Sequence, residues 1–560
     1  MSGLRPPGRG PIVGHTTDST CRLWIRAGDP GDQGPELDSD RRTVGVLAVL
    51  DANGQPVDGP PAYFRLHREF DRTGSFNLGA DVSLGANPGD HRGHPFPLAP
   101  ETEYLVGLGT LTIDDPSLSL DDTIPDDALA TRLPQLGPWV IDELRRMPSE
   151  AKALFRTFPA AGGVAPQLAF VVGSCRYPGL LAKIKLADRI FGPMASQLLD
   201  PAFGPPARFV VMVGDQIYAD KFNRLIPIGR ADTYAEFQER YLTAFGTTNM
   251  RRLLRSVPTY MILDDHEIED NWTQDRLCDP GIHFLFTYAI GAYMSYQWSH
   301  GPRTFGRRLY YQFECGGYPF FVLDTRTQRY KNDVVGELKD NHMLGRPSLH
   351  PDEPNQLDTL LAWLTHQQAT RGDIPKFIVS SSVFVPNDIS ERYGEGKAKD
   401  AKRLEQSDSW PAYPGTRRTI LNCVVKNNIQ NVIFLSGDIH CSNIAELSFT
   451  QKGAPLNLRA FSVTSSAFYW PFPFADGDPA NYVHDSTAPG QEDTFPISAG
   501  VTMDYRAWNF TQDDNYCRLI LDQPSSTLRV IMFDSSGAKV EVGVAGAKRP
   551  LDEMLQLAPW

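Results

Sequence analysis

The sequence has no long hydrophobic run, and no stretch approaches the roughly 18 consecutive apolar residues that a membrane-spanning helix needs. Its first residues, MSGLRPPGRGPIVGHTT, contain no apolar segment of the kind found in a cleavable secretion signal. Arg41-Arg42 precedes the apolar run TVGVLAVL, but this run lies inside the chain and ends at Asp51, so it predicts a strand. We expect a cytoplasmic protein, or a secreted one if the chain is a trimmed mature form.

Cysteine is scarce, and its spacing is irregular. The chain has 7 cysteines, an odd number scattered from Cys21 to Cys517, which excludes a conventional disulfide framework. A reduced protein is therefore expected. Each cysteine is by default a buried core thiol, unless its position in the sequence indicates a chemical role.

Positive charge is in deficit, because 54 Lys and Arg face 67 Asp and Glu for a net charge of −13. This balance excludes a general nucleic-acid binder, whose affinity depends on a basic surface. A phosphorylated ligand stays possible, since arginines cluster locally, as at Arg251-Arg252 and Arg307-Arg308. The chain also lacks a G-x-S-x-G elbow. Ser380-Ser381-Ser382 follows a strand without glycines, so a serine hydrolase is not expected.

At 560 residues the chain is too long for one core, so more than one domain is expected. We predict a fibronectin III-like β-sandwich over residues 1–133, because short β-rich segments alternate with turns and Tyr104 has the setting of a tyrosine corner. Residues 134–167 are predicted as a connector and residues 545–560 as a C-terminal tail. Between them, residues 168–544 alternate apolar strands with helices, which predicts an α/β domain.

Five apolar strands in the α/β part each end at a polar cluster. Strands without alternation are typical of sheets buried on both faces, and ligands gather beyond the carboxyl ends of such strands. A single carboxylate there is ordinary, but several carboxylates with a Cys, a Tyr and two His suggest a metal site. The clusters are Ser174-Cys175-Arg176, Asp215-Gln216-Ile217-Tyr218, Asp264-Asp265-His266-Glu267, Asp324-Thr325-Arg326 and Asp438-Ile439-His440.

Each cluster also has a purely structural interpretation. Asp215 and Tyr218 can be a strand-end turn with a buried tyrosine, Cys175 a packed thiol, and His440 a core histidine with ordinary hydrogen bonds. Against this, two adjacent carboxylates such as Asp264-Asp265 are expensive to bury without a cation or hydrogen-bond donors. Positions i and i+2 of an extended segment point the same way, so the side chains at 438 and 440 can reach adjacent metal sites.

In this order the motifs GSC, GDxxY, DDHE, DTR and GDxH resemble those of the alkaline phosphatase D (PhoD-type) branch of the calcineurin-like metallophosphoesterases. The segment from Asp408 to Arg417 is similar to a characteristic loop of that family, and the resemblance covers roughly residues 8–535. It implies that residues 168–544 form a metallophosphoesterase catalytic domain, with two β-sheets packed face to face and flanked by helices.

The resemblance also implies a metal-ligand set. A ferric ion (Fe3+) would be held by four residues, namely Cys175, Asp215, Tyr218 and His440. Asp215 would bridge to a second site, occupied by calcium (Ca2+) and shared with Asp265 and Asp438. Asn271 would face an additional cation or the phosphate.

Three further residues are assigned to catalysis or to substrate binding by the same resemblance. His266 would assist phosphoryl transfer from beside the second site. Gln216 stands where some members of the family carry an arginine, so phosphate binding would fall to Arg176 or Arg326. The sequence thus predicts a metal-dependent phosphoric-ester hydrolase that uses a dinuclear-type centre and a metal-activated hydroxide on a phosphate-ester substrate. The alternatives are a phosphodiesterase or phospholipase D-like hydrolase with the same site, and a non-catalytic metal-binding protein that uses its β-domain.

Overall fold

The structure is a computed structural model, and it describes most of the chain. The described residues are 3–28, 43–51, 53–55, 57, 59–84, 96–113, 124–178, 184–220, 229–306, 308–332, 338–348, 353–387, 409–472, 485–489, 492, 494–543 and 547–560. Asp408, the first residue of the loop compared above, lies outside these residues, as do Ala545 and Gly546 of the predicted tail.

Strands dominate the described residues. In chain order they are β1 (Arg9–Thr16), β2 (Cys21–Arg26), β3 (Thr43–Leu50), β4 (Ala62–Arg65), β5 (Thr73–Leu78), β6 (Glu103–Thr112), β7 (Lys152–Arg156), β8 (Gln167–Gly173), β9 (Ala207–Val213), β10 (Thr259–Ile262), β11 (Tyr311–Cys315), β12 (Tyr318–Val322), β13 (Lys376–Ser380), β14 (Val432–Ser436), β15 (Ser442–Gln451), β16 (Ala454–Pro455), β17 (Ala460–Thr464), β18 (Phe495–Ser498), β19 (Val501–Thr511), β20 (Asn515–Asp522), β21 (Thr527–Asp534), β22 (Glu541–Val542), β23 (Arg549–Pro550) and β24 (Asp552–Gln556).

Helices occur mainly between the strands of the α/β part. They are α1 (Asp126–Ala130), α2 (Pro138–Arg146), α3 (Ile184–Arg189), α4 (Phe191–Gln197), α5 (Tyr234–Phe245), α6 (Thr248–Leu254), α7 (Pro280–Tyr296), α8 (Gln356–Arg371) and α9 (Pro414–Lys426). Among the described residues, no helix combines the length and the apolar character that crossing a membrane would require.

The N-terminal strands form two small sheets, with orders β1-β2-β5 and β4-β3-β6-β7. Apolar side chains of both sheets, such as Leu23 and Val106, share one buried cluster. The hydroxyl of Tyr104 accepts a hydrogen bond of 2.7 Å from the backbone N–H of Ala99, five residues earlier, which is the predicted tyrosine corner. The β-sandwich predicted at the N-terminus is therefore confirmed.

Two larger sheets pack face to face in the rest of the chain. One has the order β10-β9-β8-β20-β21-β24, and the other has the order β11-β12-β13-β14-β17-β15-β19-β18 with β16 beside β15. The ring of Phe170 in the first sheet lies 5.3 Å from the ring of Phe320 and 5.3 Å from that of Phe377 in the second. The strands at the centre of both sheets are buried on both faces, as their unbroken apolar sequences predict.

Helices cover the outer face of each sheet. Helices α4 to α7 pack on the first sheet around Phe191 and Leu253. Helices α8 and α9 pack on the second sheet around Trp363 and Ile420. The predicted α/β architecture of two sheets flanked by helices is therefore confirmed. Helix α2 begins at Pro138, a residue suited to the first turn of a helix, and α5 begins after Thr233, whose side chain accepts a hydrogen bond from the backbone N–H of Glu236.

The segments predicted as a connector and as a tail both contain strands. In the connector, β7 pairs with β6 and completes the four-stranded N-terminal sheet. In the tail, β24 pairs with β21 at the edge of the first large sheet. This edge strand is largely part-exposed or exposed, and the mixture of Asp552, Glu553 and buried Leu555 explains why its sequence pattern is weak. The domain boundaries themselves stay a prediction.

The N-terminal sandwich packs against the end of α7. The indole N–H of Trp24 donates a hydrogen bond of 2.8 Å to the backbone oxygen of Ser295, and Arg22 donates one of 2.9 Å to the backbone oxygen of Gly301. At Gly14 two segments of the chain lie so close together that a β-carbon would be 2.0 Å from the backbone oxygen of His300. Only glycine fits at this contact.

Gly14→Ala should therefore destabilise the protein. Forcing an extra carbon into a packed interface typically costs about 1–3 kcal/mol. The free energy of unfolding from urea denaturation measures the change. Gly163→Ala is the control, because a β-carbon there would meet no atom within 4 Å. Equal stability of the two variants would contradict the described packing.

Candidate metal centre

The polar clusters predicted from the sequence meet at one edge of the two sheets. Strands β8, β9 and β10 run parallel, so their carboxyl ends lie on the same side of the first sheet. Strands β12, β13 and β14 do the same in the second sheet. The two sides touch, because the thiol of Cys175 lies 3.7 Å from the backbone oxygen of Asp438.

The backbone at this edge adopts an unusual conformation. Four non-glycine residues have a left-handed backbone, with φ of 58° at Cys175, 55° at Asp215, 74° at Asp438 and 50° at His440. Such angles are sparsely populated by residues with a β-carbon, and they concentrate at functional sites where the surrounding structure enforces them. The strands therefore end in sharp turns that direct these side chains toward each other.

Four of the predicted ligands form one group, in which three are buried and His440 is half-buried. The Sγ atom of Cys175 lies 3.4 Å from Oδ2 of Asp215, and the hydroxyl of Tyr218 lies 3.3 Å from the same oxygen. That hydroxyl is 3.2 Å from Nε2 of His440. Ligand atoms of Cys175, Asp215 and His440 all lie within 4.8 Å of one another, which is close enough to surround a single ion.

Two further groups of side chains adjoin the first. Asp215 forms one with Asp265 and His266, and the other consists of Asp264, Asp265 and Asp438. Asp215 therefore belongs to two groups at once, as a carboxylate that bridges two cations would. The prediction placed Asp215, Asp265 and Asp438 together in the second site. The structure distributes these three over two adjoining groups.

The charges of these groups fit a cation. Burial, together with nearby carboxylates, raises the pKa of Asp215 and of the Cys175 thiol well above their ordinary values. Burial and the same anionic neighbours raise the pKa of Tyr218. The other carboxylate oxygen of Asp215, Oδ1, is buried and has no hydrogen-bond partner among the described residues. A buried carboxylate oxygen without a partner is costly, and a bound cation would satisfy it.

The imidazole of His440 is neutral, as a metal ligand requires. Burial, reinforced by the charge of His266, lowers the pKa of His440 to about 3. The indole of Trp470 stacks on this imidazole, with ring centroids 3.6 Å apart and an interplanar angle of 13°. The backbone N–H of His440 donates a hydrogen bond of 3.0 Å to Ser466, whose hydroxyl also lies 3.2 Å from the thiol of Cys175.

His266 is paired with an aspartate that the sequence analysis did not select. Its Nδ1 lies 2.6 Å from Oδ1 of Asp220, and Oδ2 of Asp220 accepts a hydrogen bond of 2.6 Å from the backbone N–H of Asp270. Burial opposes a charged imidazole, but the carboxylates of Asp220, Asp265 and Asp215 outweigh it and raise the pKa of His266 well above its ordinary value. Asp220 engages Nδ1, so Nε2 is the ring nitrogen that remains for another partner.

Arg326 lies within the carboxylate group. Its guanidinium bonds to Asp264 and lies 3.4 Å from Oδ2 of Asp438 and 3.5 Å from Oδ1 of Asp265. The side chain is completely buried. This position belongs to the predicted site, but the contacts are with protein carboxylates, so they do not support the predicted contact with substrate.

Arg176 makes its contacts in the helical layer, and its predicted role in substrate binding stays a prediction. Its guanidinium donates to Thr247 at 2.8 Å and to the backbone oxygen of Ala244, and lies 3.7 Å from Asp188. It also stacks over the ring of Phe191, 5.0 Å from the centroid. The arginine follows Cys175 in the sequence, but the turn at Cys175 directs it into the helical layer, where it stabilises packing.

Asn271 contributes to the site through its backbone. Its N–H donates a hydrogen bond of 2.6 Å to Oδ2 of Asp265 from a left-handed backbone with φ of 55°. Its side chain is exposed at the surface. The structure therefore supports a role in orienting Asp265, while the predicted contact of the side chain with a cation or phosphate stays a prediction.

Sequence reasoning missed the residues that orient the ligands. Asp220 stands two positions after Tyr218 within the motif GDQIYAD. It could have been selected from the sequence, because it is a further carboxylate at the same strand end. Glu267 belongs to the quoted DDHE motif but was assigned no role. Ser466 and Trp470 gave no signal in the sequence, because their strand β17 ends without a charged cluster.

Comparison with known proteins supports a phosphatase relationship. A family model described as PhoD-like phosphatase matches residues 190–473, which is half of the chain. The alkaline phosphatase D of Bacillus subtilis (strain 168) is 25% identical over 301 residues, which are 51% of this chain and 48% of that protein. The chain thus matches about half the length of this relative.

A solved structure titled "Structure of PhoD" has a similar fold. The match has a TM-score of 0.61 and 16% sequence identity, and it covers 99% of this chain and 90% of that chain. At this level of identity the similarity concerns the fold. It extends over both the N-terminal sandwich and the two large sheets.

Cys175→Ser should remove most of the metal from the site. Serine has a similar size, but a hydroxyl is a far weaker ligand than a thiolate for a transition metal. Mass spectrometry of the purified protein measures the metal content. Cys517→Ser is the control, because that thiol is equally buried but lies in the core between the sheets. It should lower stability and leave the metal content unchanged. Wild-type metal content in Cys175→Ser would refute the ligand assignment.

Proposed function

The chain belongs to the PhoD-like phosphatase family, and from this premise we propose that it is a metal-dependent hydrolase of phosphoric esters. The observation that carries the proposal is the position of Asp215, a buried carboxylate shared by two groups of metal-ligating side chains. Two cations joined by one carboxylate form the kind of centre that catalyses in-line displacement at phosphorus. The related Bacillus enzyme is named an alkaline phosphatase, which supports a phosphate ester as substrate.

We propose two different ions for this centre. The thiol, phenol and imidazole of Cys175, Tyr218 and His440 are donors suited to iron(III), with Asp215 as the fourth ligand. Asp265 and Asp438 offer oxygen ligands only, which suits calcium, and Asp215 would bridge to them. When bound, such ions would make a water molecule sufficiently acidic to supply a hydroxide near neutral pH and would neutralise the ester oxygens.

His266 is the proposed proton donor to the leaving group. With Nδ1 held by Asp220, a protonated imidazole presents its Nε2–H to the cleft. As the bond from phosphorus to the leaving oxygen breaks, that proton moves to the oxygen, and a neutral alcohol departs. Asp220 stabilises the charged ring beforehand, which is consistent with the raised pKa of His266. Since His266 also lies among metal-ligating groups, a ligand role is the alternative that the tests below separate.

Arg326 is proposed to position the carboxylates. Its guanidinium keeps Asp264, Asp265 and Asp438 within one small volume, although their like charges repel. The charge of Arg326, with that of His266, overcomes the effect of burial and lowers the pKa of Asp265. This carboxylate is therefore ready to accept a cation at neutral pH.

Removal of calcium should abolish hydrolysis reversibly. The oxygen ligands of the second site bind calcium less tightly than a thiolate and a phenolate bind iron(III), so a calcium chelator should leave the iron in place. Rates on phosphomonoesters and phosphodiesters are measured before chelation, after it and after calcium is restored, with metal content determined at each stage. Full activity in calcium-depleted protein would contradict the proposed second site. An iron-free, inactive preparation of the native protein would favour a non-catalytic metal-binding role.

His266→Asn should lower the rate by roughly 10²- to 10⁴-fold, the usual contribution of general acid–base catalysis, while both metals stay bound. The loss should shrink for nitrophenyl esters, because nitrophenolate is stable without a proton. Rates for a series of esters of graded leaving-group pKa measure this dependence. Asp220→Asn is the matched variant, since it keeps the imidazole but removes its anionic partner, and it should show a smaller loss with the same trend. Parallel dependences in wild type and His266→Asn would refute proton donation, and loss of metal would make His266 a ligand.

A further inference from the structure

Glu267 is a completely buried carboxylate that the proposed reaction does not use. It ends the short 3-10 turn Asp265–Glu267 that follows β10. Its pKa is raised by burial, to about 7. Around it lie four N–H donors from three different parts of the chain. The donors are the backbone N–H groups of Asp215 (3.0 Å), Gln216 (2.7 Å) and Asp264 (2.8 Å) and the side-chain amide of Gln297 (3.0 Å).

We infer that Glu267 is a positioning residue that fastens the ligand loop after β9 to the ligand loop after β10. Its Oε2 atom accepts the N–H of Asp215 from one loop and the N–H of Asp264 from the other. Both loops supply ligands of the proposed centre, so the inference rests on the proposed function and deepens it. Glu267 itself is not a member of the groups of metal-ligating side chains described above.

The two loops approach each other closely beside Glu267. Gly214, directly before Asp215, has φ of 91°, and a β-carbon on it would lie 2.3 Å from the β-carbon of Asp264. Asp215 itself has a left-handed backbone with φ of 55°. A conformation of this kind persists only where its surroundings enforce it, and the hydrogen bonds of Glu267 act on its N–H directly.

A carboxylate suits this place better than an amide. All four neighbours donate, and a carboxylate offers acceptor sites on both oxygens, whereas glutamine offers one oxygen and adds an N–H2 group. In Glu267→Gln, the N–H2 group would face backbone N–H donors, and at least one donor would lose its acceptor. The substitution therefore changes the hydrogen bonding while it leaves the size of the side chain nearly unchanged.

Gln297 connects this carboxylate with the rest of the molecule. Its side-chain N–H2 group donates to Oε1 of Glu267 at 3.0 Å and to the hydroxyl of Tyr241 at 3.2 Å. It follows the last residue of α7, where the indole of Trp24 bonds to Ser295. The C-terminal end of α7 thus contacts the N-terminal sandwich through Ser295, and the next residue after the helix, Gln297, contacts Glu267 beside the candidate metal centre.

The test measures calcium binding without substrate. Glu267→Gln should weaken calcium binding by about 10- to 100-fold, as is usual when a residue that orients a metal ligand is lost. Calorimetric titration of calcium alone into calcium-depleted, iron-loaded protein gives the dissociation constant. The KM for a phosphomonoester at saturating calcium should stay near the wild-type value, because Glu267 is completely buried and its contacts are with the ligand loops and Gln297.

Glu269→Gln is the matched control. Glu269 is equally buried and two residues away, but it pairs with Arg230 at 2.9 Å and with Arg276, and its carboxylate does not hold the amides of the ligand loops. It should lower the free energy of unfolding and leave the calcium affinity unchanged. Similar losses of calcium affinity in both variants would show a general effect of removing buried charge and would overturn the inference.

Gln297→Met provides a second test of the inference, which can be used if Glu267→Gln does not fold. It removes one donor to Glu267 and should weaken calcium binding by a few fold in a folded protein. Unchanged calcium affinity in Gln297→Met, or in a folded Glu267→Gln, would overturn the inference. If wild type binds calcium and Glu267→Gln binds it weakly, but no phosphoester is hydrolysed, the inference stands and the proposed function fails.

Discussion

Electrostatic repulsion between buried anionic side chains is the constraint on which the centre depends. Asp215, Asp264, Asp265 and Asp438 converge where the strand ends of two sheets meet, together with the thiol of Cys175 and the phenol of Tyr218. Burial is the main cause of the raised pKa of Asp215, and the neighbouring carboxylates of Asp265 and Asp264 raise it further. Arg326 and His266 balance part of this charge, and cations of the proposed kind would balance the rest.

Hydrogen bonds from neighbouring residues orient the candidate ligands of the site. Asp220 fixes His266, Ser466 fixes His440 and the thiol of Cys175, and the N–H of Asn271 fixes Asp265. These contacts orient the side chains that would hold the ions, and the affinity of a metal site depends on such surrounding residues.

The sequence predicts well both the strands of the α/β part and the polar residues at their carboxyl ends, for a physical reason. Strands such as β9 and β14 are buried on both faces, and their unbroken apolar runs end abruptly at charged residues. The sequence does not predict the direction of a side chain beyond the strand end, because that direction depends on the conformation of the backbone turn. Cys175 and Arg176 are adjacent, yet one faces the candidate centre and the other the helices. No pattern in the sequence distinguishes them. Edge strands such as β24 are also hard to predict, since solvent permits polar residues there.

The candidate ligands are widely spaced along the chain, from Cys175 to His440. The first large sheet, which carries some of them, also contains strands from still further along the chain. Strand β8, which bears Cys175, has β20 as its neighbour, so the first large sheet needs residues beyond 515 before it is complete. Contacts of such long sequence separation form slowly. During synthesis on the ribosome, the coordination sphere therefore stays unassembled until nearly the whole chain has emerged. Ions would therefore enter the proposed centre only after nearly the whole chain has been synthesised.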